Sequence, residues 1–327
     1  MNSRLTYLAL PLCSLVLLTA GCQSGIVPLV DHHQHLISPA LARTWEGEPE
    51  PVDADLLIQR LDKAGIRSAV VLALGYQWGS PARSPKPVDE YLAVRTENDW
   101  AAEQVAKYPD RLTAVCSVNP LRDYALAEID RCAADSRLRN GLKVQFANSR
   151  VNLENAEHVA QLRRVFAAVN KHRMPIVAHV WTGDDKILSP FEGRDARIFI
   201  NEVLPMAPDV TVQIAHLGGA GAHLDPGTKE AMVVLAEAAS RGDTAMKNVY
   251  FDVTTNIHPE SPAESVEFMT ARMRQIGMSR LLYGSDMAIG ENAVLPEQLW
   301  RAIRKNTGLT TSELETIAGN VAPYLRR

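Results

Sequence analysis

An excess of positive charge is missing from this chain. Lys and Arg together number 34 against 38 Asp and Glu, a formal net charge of −4, so there is no basic footprint for nucleic acid. Charge runs, low-complexity tracts and repeats with a period of 20–50 residues are also missing, which excludes a solenoid or an interaction tail. Glycine and proline, 19 each, stand at ordinary levels, and cysteine is scarce at four. The longest apolar run, residues 8–20, is too short to span a bilayer comfortably.

What is present at the N-terminus has the pattern of export. Arg4 precedes the apolar run, and Gly21-Cys22 follows it, as in a secretory signal. Leu17-Leu18-Thr19-Ala20-Gly21-Cys22 resembles a bacterial lipoprotein box, with Thr19 where Leu usually stands. The resemblance implies a signal peptide over 1–21, lipid on Cys22 and a mature domain over 22–327. Gln23 after Cys22 then places the anchor on the periplasmic face of the outer membrane, and the lipid makes the membrane a partner. Cys13 leaves with the signal, so Cys116 and Cys132 remain in the folded body. One falls at a predicted strand end and the other inside a predicted helix, and they read as two free, buried cysteines.

At 327 residues and 46% hydrophobic, the chain can bury a large core. Predicted strands lie at 26–33, 67–73, 112–117, 141–146, 175–179, 210–215, 248–252 and 280–284. Stretches of helical period follow at 54–64, 89–107, 124–135, 156–172, 196–204, 229–241, 262–276 and 296–305. Eight strands each followed by a helix predict an α/β fold, a single (β/α)8 TIM barrel, with a C-terminal helical extension over 311–325. A doubly wound open sheet would want a Gly-rich turn after the first strand, and that position holds His33-Gln34-His35.

Side chains two apart on a strand share a face, so His33 and His35 can converge on one metal ion, with Asp31 on their side and His32 opposite. The fifth predicted strand ends in His179, the sixth runs into His216, and the eighth ends in Asp286. In a parallel barrel all these strand ends lie on one face. A nitrogen-rich set completed by oxygen suits one Zn²⁺, with Mn²⁺ or Fe²⁺ as alternatives.

The order His33-x-His35, His179, His216, Asp286 resembles the amidohydrolase superfamily. The closer likeness is to its amidohydrolase-related branch of metal-dependent hydrolases, lactonases and non-oxidative decarboxylases. The stretches Leu61-Asp62-Lys63-Ala64-Gly65-Ile66, Leu281-Leu282-Tyr283-Gly284-Ser285-Asp286 and Ile317-Ala318-Gly319-Asn320 add to it, and it covers about residues 26–325. The resemblance implies His33, His35, His179 and Asp286 as metal ligands. It implies His216 as the group that orients or deprotonates water at the metal or polarises the substrate, with Asp286 also catalytic. Alternation in Leu142-Lys143-Val144-Gln145-Phe146 turns Lys143 inward. In binuclear members such a lysine is carboxylated and bridges a second metal; otherwise it pairs with Asp286, Asp31 or an anionic substrate.

Trp45, Tyr76, Trp78, Arg83, Arg150 and Trp181 fall in loops after strands, and Trp181, Arg83 and Arg150 are the candidates for gripping substrate. Asp252 ends the seventh strand, either assisting or accepting backbone hydrogen bonds. His223 and His258 read as surface or supporting residues, and the helical His158 and His172 have no assigned role. The expected activity is hydrolysis of a small organic ester, lactone or amide by metal-activated water. The alternatives are non-oxidative decarboxylation of an aromatic or dienoic acid, and a non-catalytic binding lipoprotein. A small-molecule substrate is the expected partner, nucleic acid is not, and homo-oligomerisation is left open.

Overall fold

Short runs of Val, Ile, Leu and Ala pair edge to edge in one parallel sheet, as strands buried on both faces do. They are β1 (Val30–Gln34), β2 (Ser68–Leu72), β3 (Leu112–Ser117), β4 (Leu142–Gln145), β5 (Ile176–His179), β6 (Val212–Ile214), β7 (Val249–Asp252) and β8 (Leu281–Leu282). They follow one another in sequence order around the sheet. β1 and β8 meet where the His32 N–H donates to the Tyr283 carbonyl (2.8 Å) and the Asp286 N–H to the His33 carbonyl (2.7 Å). The result is the predicted (β/α)8 barrel. The structure, a computed structural model, describes residues 25–47, 49–183, 191–221, 224–286 and 294–326. The signal segment, Cys22 and His223 lie outside the described residues.

Several helices form where a side-chain cap and an apolar stripe coincide. Asp53 caps Ala54–Ala64 by accepting from Leu56 N, Gly65 ends it at φ 72°, and Leu57, Ile58 and Leu61 face the barrel. Asp89, Asn155 and Asp225 cap Glu90–Val105, Ala156–Lys171 and Pro226–Arg241 in the same way. Two predicted helices end differently. The helix expected over 196–204 starts at Gly193 and passes at Phe199 into a wider turn, because Pro205 cannot donate to continue the ladder. The extension expected over 311–325 is helical over Thr311–Gly319, and a short turn at Pro323–Leu325 follows.

The core has two parts. Residues alternating outward from the strands, such as Leu142, Val144 and Phe146, join the apolar faces of the helices in one large cluster. Val70, Leu72, Val115 and Val177 form a smaller cluster inside the barrel, with Tyr324 and Leu325 packed against it. Cys116 belongs to the outward set and meets Cys132 of the helix Ala125–Ala134 in a disulfide, Cα atoms 6.3 Å apart. This corrects the expectation of two free cysteines. A crossover helix packs back on the sheet beside the strand that feeds it, so a strand-end residue and a helical one become neighbours.

Two tests follow from these contacts. Reduction of the Cys116–Cys132 bridge, which closes a loop with sequence separation 16, is expected to lower stability by about 3 kcal/mol. Urea unfolding with and without reductant measures it, and equal midpoints would show that the bridge adds nothing. Glu97, buried at 3% exposure and accepting from Ser38 Oγ at 2.7 Å, has its carboxyl pushed up to about 7 by burial, against the pull of the Ser38 bonds. The folded protein therefore holds this proton more tightly than the unfolded chain. Its share of stability, on the order of 3 kcal/mol, is present below about pH 4.5 and is lost as pH rises to about 7. Glu97→Gln should flatten that slope, and an unchanged slope would assign it elsewhere.

Candidate metal centre

The C-terminal ends of β1, β5, β6 and β8 bring five of the predicted side chains together. The His33 ring lies 5.2 Å from that of His35 and 5.0 Å from that of His216, and the His179 ring lies 4.5 Å from His216. Asp286 stands between two imidazoles, Oδ1 3.5 Å from His35 Nε2 and Oδ2 3.6 Å from His216 Nε2. The ligand atoms of His33, His216 and Asp286 all lie within 4.8 Å of one another. Asp286 is 23% exposed against 3–4% for His35 and His216, and His179 is also partly exposed, so solvent reaches the carboxylate.

The rings are held by their far nitrogens. His33 Nδ1 donates to Asp252 Oδ2 at 3.0 Å, His35 Nδ1 to the Leu72 carbonyl at 2.6 Å, and His216 Nδ1 to the Thr254 carbonyl at 2.8 Å. Each bond commits the proton to Nδ1 and leaves the Nε2 lone pair facing the cluster, the arrangement of metal-ligating histidine. His179 Nε2 is buried with no hydrogen-bond partner among the described residues. A buried unpaired imidazole nitrogen is costly unless something accepts its lone pair or proton. The donor set therefore fits a divalent cation.

Electrostatics agree with this. Burial keeps the imidazoles of His35, His179 and His216 below the usual range, His35 at about 3, so they are neutral at pH 7. Burial alone would raise the Asp286 carboxyl, but the positive charge that its neighbours can carry, Lys143 among them, overrides it and holds it well below the usual carboxylate range. Lys143, 1% exposed, points inward as alternation predicts, with Nζ 3.3 Å from His33 Nε2. Burial brings its ammonium down to about 8 against the pull of Asp286 and Asp252.

The backbone is bent to make this rim. His216 and Leu217 both have φ 54°, and Asp286 has φ 61°, a left-handed conformation that costs on the order of 1 kcal/mol or more per residue. Asp252 Oδ1 accepts the His216 N–H at 2.8 Å, and Asn256 Nδ2 donates to the His216 carbonyl at 2.9 Å. A Cβ on Gly284 would come 2.7 Å from the Cβ of His33, so only glycine lets β8 approach β1 here.

Some expected positions differ. Asp31 does not share the cluster with His33: it accepts from the Ser285 N–H and hydroxyl and from Gln34 Nε2. A register irregularity between Asp31 and Gln34 breaks the alternation that put them on one face. His32 turns away as predicted, between the Tyr283 carbonyl and the Ala322 N–H. Trp181 stands beside the His179 ring at 6.4 Å, its Nε1 donating to Thr228 Oγ1. Arg83 is bonded through Nε to Gln77 Oε1 at 2.9 Å and lies over the Trp45 ring at 4.5 Å, half-buried. Arg150 is exposed at the C-cap of a short helix after β4. His172 bonds Asp130 and His158 accepts from Asn152 N, both away from the cluster. Gln213 was not singled out by sequence, although a polar residue between Val212 and Ile214 is a signal of an inward position.

The C-terminal rim of a parallel barrel here gathers four imidazoles and a carboxylate, a set that could hold a cation at the strand ends. The family described as Amidohydrolase matches residues 30–322, and the chain belongs to that family. No curated protein matches it. Among solved structures it is similar to an amidohydrolase from Burkholderia multivorans with bound zinc, at 15% identity and TM-score 0.59, covering 90% of this chain and 96% of that one. It is also similar to a probable 2-pyrone-4,6-dicarboxylic acid hydrolase from Acinetobacter baumannii, at 15% identity and TM-score 0.56, covering 89% and 96%. The third is 2,6-dihydroxybenzoate decarboxylase from Rhizobium, at 17% identity and TM-score 0.58, covering 89% and 96%.

Replacing the carboxylate that holds His33 should weaken metal binding before it unfolds the barrel. Asp252→Asn is expected to lower zinc affinity roughly 10- to 100-fold, measured by chelator competition. Wild-type affinity in the variant would mean the bond does not orient a ligand.

Proposed function

We propose that this chain hydrolyses a small organic ester, lactone or amide, using one divalent metal, zinc first, held by His33, His35, His179 and Asp286. A bound cation supplies Lewis-acid activation of water and of the scissile carbonyl. The observation that carries the reading is the division of the Asp286 oxygens between His35 and His216, beside a His179 Nε2 that is buried and unpartnered. Asp286, which solvent reaches, accepts the proton released from the attacking water. His216, locked through Nδ1 on the Thr254 carbonyl, presents its Nε2 lone pair to orient the attacking water and to accept its proton alongside Asp286. Lys143 serves as a cation beside His33. The His/His/Asp group whose ligand atoms lie within 4.8 Å of one another, His33, His216 and Asp286, is a single cluster among the described residues, which favours one metal over a pair bridged by carboxylated Lys143.

Decarboxylation of an aromatic or dienoic acid is the second reading, and Arg83 favours it. Its guanidinium is half-buried and pairs with no carboxylate among the described residues; its contacts are Gln77 and Trp45. A guanidinium so held can form a bidentate pair with a substrate carboxylate. For hydrolysis, the same residue selects substrates that carry a carboxylate.

The compartment belongs to the same proposal: a chain exported behind a 1–21 signal, lipidated on Cys22, and held at the periplasmic face of the outer membrane. The Cys116–Cys132 disulfide supports an oxidising compartment. No described helix is long and apolar enough to cross a membrane. β1 begins five residues after Gly25, at the barrel's N-terminal face, so the rim with Asp286 faces away from the lipid.

The test is elemental analysis followed by a panel of lactones, esters, amides and aromatic acids, with and without chelator. About one equivalent of metal and chelator-sensitive hydrolysis are expected, with carboxylate-bearing substrates favoured and that preference lost in Arg83→Ala. Carbon dioxide release would move the assignment to the decarboxylase, and absence of metal would overturn both.

A further inference from the structure

The metal-site histidine His33 is tied to the opposite end of the barrel. Its Nδ1 donates to Asp252 Oδ2 at 3.0 Å, and the same oxygen accepts from Gln213 Nε2 at 2.8 Å. Gln213 Nε2 also reaches the His32 carbonyl at 3.2 Å, and Gln213 Oε1 accepts from the Tyr324 hydroxyl at 2.7 Å. Gln213 and Asp252 are wholly buried. Tyr324 belongs to the C-terminal turn Pro323–Leu325, packed against the inner cluster of Val70, Leu72, Val115 and Val177. It also lines a cavity of about 410 Å³ with Leu29, Arg67 and Arg111. The tail thus stands between that cavity and the polar line to the metal centre.

The line has one sense. Reversing the Gln213 amide would set its oxygen against the Asp252 carboxylate and the His32 carbonyl, so nitrogen must face both. Gln213 Oε1 is then a buried acceptor facing the tail, and the Tyr324 hydroxyl satisfies it. Loss of that donor leaves a buried oxygen unpaired and lets the amide turn. A turned amide would push the Asp252 carboxylate away from His33.

We propose that Tyr324 and Gln213 are positioning residues, which hold the Asp252 carboxylate on His33 Nδ1 and so aim His33 Nε2 at the metal. The inference rests on the reading of His33 as a metal ligand. The C-terminal tail is then part of the metal centre's support, although it touches none of the ligands.

The test uses the full chain loaded with Zn²⁺ or Co²⁺. Tyr324→Phe keeps the ring and its packing and removes only the hydroxyl. It should weaken Zn²⁺ binding roughly two- to tenfold and shift the visible absorption bands of the Co²⁺ form. Gln213→Leu should weaken binding about tenfold or more. In an Asp252→Asn background the effect of Tyr324→Phe should vanish, because the line is already cut. Thermal melts of the metal-free variants separate loss of fold from loss of aim, and Tyr324→Phe should melt close to wild type. Metal uptake by wild type with identical affinity and Co²⁺ spectrum in Tyr324→Phe overturns this inference alone. An undiminished effect of Tyr324→Phe in Asp252→Asn also overturns it. A wild type that takes up no metal overturns the metal-site reading and this inference with it.

Discussion

The bond between the His33 ring and the Asp252 carboxylate is the contact on which the rest of the rim depends. Both groups are buried, at 1% and 0% exposure, where a charge-assisted hydrogen bond is strong and an unpaired carboxylate is expensive. Through one oxygen Asp252 fixes the ring from β1; through the other it holds the His216 N–H at the end of β6. Three strands that are remote in sequence are thereby brought to one geometry. The His33 Nε2 lone pair is left facing Asp286, Lys143 and His216, and a cation has a place to sit.

Such a centre is costly to fold. His216, Leu217 and Asp286 occupy left-handed backbone conformations, and Lys143, Asp31, Asp252 and Glu97 are charged or chargeable groups in the interior. The barrel wall offsets this with a large apolar core and with hydrogen bonds that are local to each strained residue. Asp286 is held through its own N–H on the His33 carbonyl. Asn320 pins the start of the tail to β8 through the Met278 and Leu281 carbonyls, at 2.7 and 2.6 Å. These polar bonds place side chains, and apolar burial supplies the stability to hold them there.

Much of this was legible in the sequence. The alternation of strand and helix predicted the barrel, and the barrel predicted that His33, His35, His179, His216 and Asp286 would meet, because strand ends of a parallel barrel share a face. Parity turned Lys143 inward. Parity failed at Asp31, since a register irregularity in β1 is invisible to a period-two argument. The disulfide was missed because Cys116 and Cys132 become neighbours through helix-on-strand packing, which element spacing does not report. The roles of Gln213 and Tyr324 were missed for a related reason. Their contact spans 111 residues, and the tail was read as a continuing helix and not as a plug in the barrel floor.

The central claim is that imidazole and carboxylate groups at the barrel rim hold the metal. X-ray absorption at the zinc edge of the loaded protein reports the ligand shell directly. The account predicts a nitrogen- and oxygen-ligated shell at about 2.0–2.2 Å with imidazole scattering, and no sulfur. A sulfur shell at about 2.3 Å, or the absence of bound zinc, would contradict it.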